Sequence, residues 1–335
     1  MEKSALPEFV MVVVAPVRLL SRNYKFLVLQ NPCAFDRMKL FRFYILLIFG
    51  MLSFSLKAQQ APNKLAVFQD TLVKISARVI AAQSDAQKIE INGNFVKTLV
   101  EALKAPNSFS YPFDSLKNVS VIKSSDQAFR VLSWYVLLED GTYRYYGAIQ
   151  MNTKSGPLKL YPLIDQTDNL ADPNSITNNQ KWFGARYYEI VPVTSGNRLP
   201  YYVLLGWKGN TPFTTKKVID ILSFDKDNLT FGAPVFDGKE LKGKNRIIFE
   251  YAKSNAMTLK TDLKAGMIVF DHLASFNPEM KDTFEYHGSD GTFDGFKIIG
   301  GRLKLQEDIT LHNDPNSTDE LYADPKKNVK PIRKF

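Results

Sequence analysis

The sequence predicts a mainly β protein of the α+β class. An N-terminal helical pair packs on a large antiparallel β-domain, a sandwich or partly closed barrel, with a β-propeller-like arrangement as the alternative. Three observations lead there. Residues 63–104 repeat apolar positions at spacings of three and four, the period of a helix face. From about Asn118 the repeat gives way to short β-branched and aromatic runs bounded by Gly, Pro, Asn and Asp. The links between those runs are too short for helical crossovers, which favours antiparallel pairing.

The first helix is read from Leu65, Phe68, Leu72, Ile75 and Val79, which form one stripe. Ser84 followed by Gln87 reads as the capping box of a second helix. That helix is expected to break or kink at Asn92-Gly93-Asn94, to resume through Val96, Leu99, Val100 and Leu103, and to stop before Pro106. Each helix is apolar on one face only, so the pair needs the following sheet as a partner.

Roughly ten strands follow. In "FRVLSWYVLLEDGTYRYYGAIQM" two runs meet at Asp140-Gly141, a pair suited to the positive φ angles of a tight hairpin, and "YHGSDGTFDGFKIIGG" is expected to repeat the device at Asp290-Gly291. Between them lie "LKLYPLI", "RYYEIVPV", "YYVLLGW", "KKVIDILSF", "NRIIFEY" and "GMIVFDHLASF". "YYVLLGW" is apolar on both alternating faces and predicts a central strand covered on both sides. No repeat of 40–50 residues supports a propeller. The runs also lack the sustained alternation of a membrane-spanning barrel.

The N-terminal region carries the most specific signal. Lys39 and Arg42 precede an apolar run of 13 residues, Tyr44 to Leu56, and small Ala58 follows. That order is the pattern of a secretory signal peptide, and the run is shorter than the roughly 20 residues of a membrane-crossing helix. The reading assigns residues 1–37 to an upstream extension, 38–58 to the signal, 59–108 to the helical element, 109–325 to the β-domain and 326–335 to a basic tail. After cleavage no transmembrane segment is expected. The remaining chain has 35 basic and 31 acidic residues, a net charge of +4 in place of +9, and it loses Cys33. A clustered basic footprint for nucleic acid is then missing, and thiol or cysteine-zinc chemistry is excluded. Stability must come from the core rather than from disulfides.

Around "PNSFSYPFDSLKNVSVI", "YRYYGAIQM" and "YYVLLGWKGN" the chain is similar to exported, β-rich bacterial envelope proteins of unknown function. The resemblance implies the periplasm or cell envelope of a Gram-negative-type bacterium and brings no catalytic residue with it.

No G-x-S-x-G elbow, H-E-x-x-H helix, P-loop or G-x-G-x-x-G turn occurs. Candidate catalytic residues are Asp271, His272, Glu285 and His287, because a histidine beside a carboxylate can move a proton and glycosidase carboxylates need no fixed local spacing. Asp271 and His272 are neighbours in a strand and must point to opposite faces. Asp290 and Asp294 are candidate calcium ligands in an Asp-rich turn, although Asp-Gly pairs are also ordinary turn residues, and no cofactor is called for. The aromatic block supplies Trp182, Tyr188, Tyr202 and Trp207 as candidate stacking residues for a glycan or a protein partner. Strand cores use the same residue types. The sequence-level expectation is therefore an exported, non-catalytic binding or structural protein of the envelope. The alternative is a secreted hydrolase of glycan or peptide acting through strand-borne carboxylates.

Overall fold

A computed structural model describes residues 63–154, 156–196 and 200–311. The expected upstream extension and signal peptide, Cys33, His312 and the basic segment 326–335 lie outside the described residues. Helices α1 (Lys64–Ala81) and α2 (Asp85–Lys104) come first. The Asn63 side chain caps α1 by accepting from the Leu65 amide at 3.1 Å, and Ser84 Oγ caps α2 by accepting from Gln87 N at 3.4 Å. Helix α2 ends at Lys104, ahead of Ala105-Pro106. It runs unbroken through Asn92-Gly93-Asn94, contrary to the expected kink, and the reason is Asn92: its side chain is buried and accepts from Trp134 Nε1 at 2.9 Å. A tertiary hydrogen bond outweighs the poor local propensity of that triplet.

Three sheets follow. The first contains β1 (Ser120–Lys123), β2 (Phe129–Leu137), β3 (Tyr143–Met151) and β4 (Leu160–Ile164) in sequence order. The second is formed by β5 (Thr177–Asn178), β6 (Arg186–Val193), β7 (Tyr201–Gly209), β8 (Thr214–Asp225) and β9 (Asn228–Phe231) in the order β5-β9-β8-β7-β6, with β11 (Ile247–Ala252) also pairing β8. In the third, β10 (Phe236–Asp237), β15 (Arg302–Gln306), β14 (His287–Ile299), β13 (Met267–Ser275) and β12 (Leu259–Asp262) lie side by side. Among the described residues all pairings between these strands are antiparallel except β10 with β15, which is parallel. Among the described residues no sheet closes into a barrel. Sheets of four, six and five strands do not repeat the four-stranded blade of a propeller.

The core fills the spaces between these layers in three clusters. Leu72, Phe95, Leu99 and Leu103 of the helices meet Leu132 and Trp134 of β2. On the opposite face of the first sheet, Phe129, Val131, Tyr145 and Ile149 meet Tyr187, Tyr202, Leu204 and Leu222 of the second. The far side of the second sheet packs Val203, Leu205, Ile219 and Ile221 against Ile268, Phe270, Phe296 and Leu303 of the third. Strand β7 thus sends Tyr202 and Leu204 one way and Val203 and Leu205 the other, as expected of a strand covered on both faces.

The two Asp-Gly-Thr triplets have one local chemistry and two outcomes. Asp140 Oδ1 accepts from the Thr142 amide at 2.9 Å and its hydroxyl at 2.6 Å, and the β2–β3 hairpin turns there. Asp290 Oδ1 accepts from the Thr292 amide at 2.9 Å and its hydroxyl at 2.8 Å, yet β14 continues through it. The pairing of β13 with β14 shifts between Asp271 and Leu273, so the expected second hairpin is a bulge. The real turn of that region is Gly300-Gly301, with φ of 58° and 74°, joining β14 to β15.

Candidate functional site

The four candidate rings separate by burial. Trp182 is fully buried, with its Nε1 donating to the Tyr187 hydroxyl at 3.0 Å, and Tyr202 is buried with its hydroxyl donating to Asp126 at 2.5 Å. Both are core residues, which removes them from any exposed stacking face. Tyr188 is half-buried, donates to the Leu259 carbonyl at 2.8 Å and lies under Lys217 Nζ at 4.6 Å. Trp207 is also half-buried, and it meets Tyr135 and Tyr143 with ring centroids 5.1 and 5.4 Å away. This trio brings the first and second sheets together at one end, and the ring of Tyr143 occupies the space that a Cβ on Gly209 would take.

The candidate catalytic and calcium residues also regroup. Asp271 is buried and accepts from the Thr258 amide at 3.0 Å, a local strand contact. Glu285 is exposed, and His287 Nε2 lies 2.8 Å from the Lys281 carbonyl. His272, at the shift in pairing, instead meets Asp294 with Nδ1 2.8 Å from Oδ2. This contact raises the His272 pKa, and Asp290 adds a smaller pull in the same direction. Asp294 also accepts from the Asp308 amide at 3.0 Å. Among the described residues no group of three His, Cys, Asp or Glu side chains is placed to hold a metal ion. The His272–Asp294 pair orients an imidazole, and no hydroxyl hydrogen-bonds to its outer nitrogen among the described residues.

The buried cations Lys208 and Arg246 hold structural contacts that periodicity cannot reveal. Lys208 Nζ donates to Thr167 Oγ1, Phe183 O and Gly184 O at 2.8, 2.8 and 2.7 Å, between the rings of Tyr145 and Phe183. Burial pushes its pKa down to about 7 against the opposing pull of Asp165. An amine with that pKa is nucleophilic in principle. Here three acceptors and two rings enclose it, so it ties β7 to the loop before β6. Arg246 Nε donates to Asp220 at 3.2 Å, both side chains being fully buried, and Asp220 accepts from the Tyr187 hydroxyl at 3.0 Å.

An open groove lies elsewhere, where the helical pair meets the first sheet. Its volume is about 330 Å³. Val79 and Ile80 of α1, Asn92 and Phe95 of α2, and Trp134 and Val136 of β2 supply most of its apolar wall. Lys88, Lys117 and Arg186 add positive charge, and no acidic residue lines it. Lys88 Nζ donates to the Leu137 carbonyl at 3.0 Å and lies 3.5 Å from Asp85. Two donors buried at this place, Asn92 Nδ2 and Arg186 Nε, lack a hydrogen-bond partner of good geometry among the described residues. Such orphaned donors are uncommon in folded proteins and mark a place where an acceptor belongs. Tyr135 lies in the groove lining and in the Trp207 trio, so the groove and the half-buried rings adjoin.

Sequence reasoning missed Lys88, Asn92, Tyr135 and Arg186. Asn92 had a signal, since a polar residue on the apolar side of a helix needs a partner, but the neighbouring Gly93 made the triplet read as a break. No family model, no curated protein and no solved structure matches the chain.

Proposed function

We propose that this is an exported, non-catalytic binding protein of the bacterial envelope, and that the groove between the helical pair and the first sheet is its recognition site. The observation that carries the reading is the groove itself: apolar walls, three cations without a lining carboxylate, and two buried donors lacking acceptors. A concave, mainly apolar site with a few convergent polar groups is the usual form of a ligand site. The envelope location is supported by the signal-like stretch 38–58 and by the resemblance to exported β-rich proteins. The hydrolase alternative has less support, because Asp271, Glu285 and His287 spend their polar groups on local contacts or lie exposed.

The test is incubation of the full chain with a panel of peptides and envelope oligosaccharides, with Trp fluorescence and mass spectrometry read together. Trp134 and Trp207 lie in or beside the groove. Saturable fluorescence change with recovery of intact ligand is expected. A cleaved ligand would overturn the non-catalytic reading.

A further inference from the structure

We propose that the open edge of β2 at Trp134–Leu137 takes up an extended acidic segment of a partner protein as an added strand. The inference rests on the groove being a binding site and names the class of its ligand.

Strand β1 pairs with β2 only from Arg130 to Ser133. Strand β2 continues to Leu137, and no strand among the described residues covers Trp134–Leu137 on the side that β1 has left. The register on the other side fixes which backbone groups face outward. The Leu138 amide donates to the Thr142 carbonyl at 2.9 Å, so alternation along the antiparallel pair turns Trp134 and Val136 toward β3 and Tyr135 and Leu137 away from it. The Tyr145 amide, opposite Tyr135, agrees: it points away from β2 and donates to Asp165 at 2.8 Å. Lys88 takes the Leu137 carbonyl. The Tyr135 amide and carbonyl and the Leu137 amide remain for an incoming strand. Extended peptides bind open sheet edges in this way, with main-chain bonds giving affinity and flanking pockets giving side-chain selection.

The edge is guarded by flanking cations and not by its own residues. Trp-Tyr-Val-Leu contains neither Pro nor charge, and Ile80 and Leu137 beside it are 68% and 47% exposed. Charge selects the kind of occupant, an acidic one. Lys88, Lys117 and Arg186 would repel the same edge of a second copy, and they would repel the basic segment 326–335 equally. A carboxylate side chain at the mouth would complement them and supply the acceptor that Arg186 Nε lacks.

The experiment measures binding of the full chain to four fluorescein-labelled heptapeptides: VEVEVEV, VKVKVKV, and two versions of VEVEVEV N-methylated at alternate residues, one for each edge of the peptide strand. The acidic peptide is expected to bind at least tenfold more tightly than the basic one. At least one N-methylated version should lose binding, since methylation removes the strand's donors and keeps its side chains. K88Q and R186Q should each weaken VEVEVEV severalfold while leaving the far-ultraviolet spectrum unchanged. Equal affinity for acidic and basic peptides, or undiminished binding of both N-methylated peptides, would overturn the inference. Saturation of the groove by an oligosaccharide with no peptide binding would also overturn it and would leave the binding-protein reading standing. Cleavage of a peptide would count against that reading instead.

Discussion

Asn92 joins two layers through one polar side chain. Its Oδ1 accepts from the indole of Trp134, whose ring stacks on Tyr146 at 5.8 Å and meets Phe95 edge-on at 5.3 Å. Asn92→Ala would leave a buried indole N–H without a partner, which costs about 1–3 kcal/mol. Urea unfolding of the variant should show that loss, and an unchanged midpoint would mean that the bond is not made. His272 offers a second residue-scale prediction. Its hydrogen bond to Asp294 raises its pKa above the ordinary 6.5, so the interaction stabilises the fold fully below about pH 6.5 and is lost as pH rises through the raised value. Half of the His272 side chain is exposed, so solvent screening keeps the contribution to stability small. The titration midpoint is the better readout. By NMR it should lie above 6.5 in the native chain and fall in D294N, and a midpoint unmoved by D294N would contradict the pairing.

At the scale of elements, legibility in sequence depended on whether the deciding forces were local. The stripe on α1, the Ser84 cap and the two-faced strand β7 were legible because side-chain period and capping chemistry are properties of a few adjacent residues. The two Asp-Gly-Thr triplets were not separable, since both form the same Asp-to-Thr bonds, and only the partner strand's register makes one a hairpin and the other a bulge. Strands of two residues such as β5 and β10 carry no periodic signal at all. The groove was illegible for a related reason: it exists because β1 stops at Ser120, opposite Ser133, while β2 runs on, and an edge is defined by what fails to pair with it. One element-scale contact can be tested directly. A Cβ on Gly209 would lie 2.4 Å from the Tyr143 ring. Gly209→Ala should therefore displace Tyr143 from Trp207, cost about 1–3 kcal/mol and shift Trp207 emission. Unchanged stability and emission would show that the ring does not sit on the glycine.

Across the whole molecule, the helical layer and three sheets are joined by three core clusters, and the second sheet is packed on both faces. Native-state hydrogen exchange should find the slowest amides at Val203, Leu204, Ile219 and Ile221, which are fully buried in β7 and β8. Faster exchange there than in β1 or β15 would contradict the layered order. This arrangement packs both faces of the first sheet, while among the described residues no strand pairs β2 over Trp134–Leu137 on the β1 side. The most direct test is amide exchange at Tyr135 and Leu137 with and without the acidic peptide VEVEVEV. The account predicts fast exchange in the free protein and strong protection at both amides in the complex. Binding that leaves both amides exchanging at their free rates would contradict it.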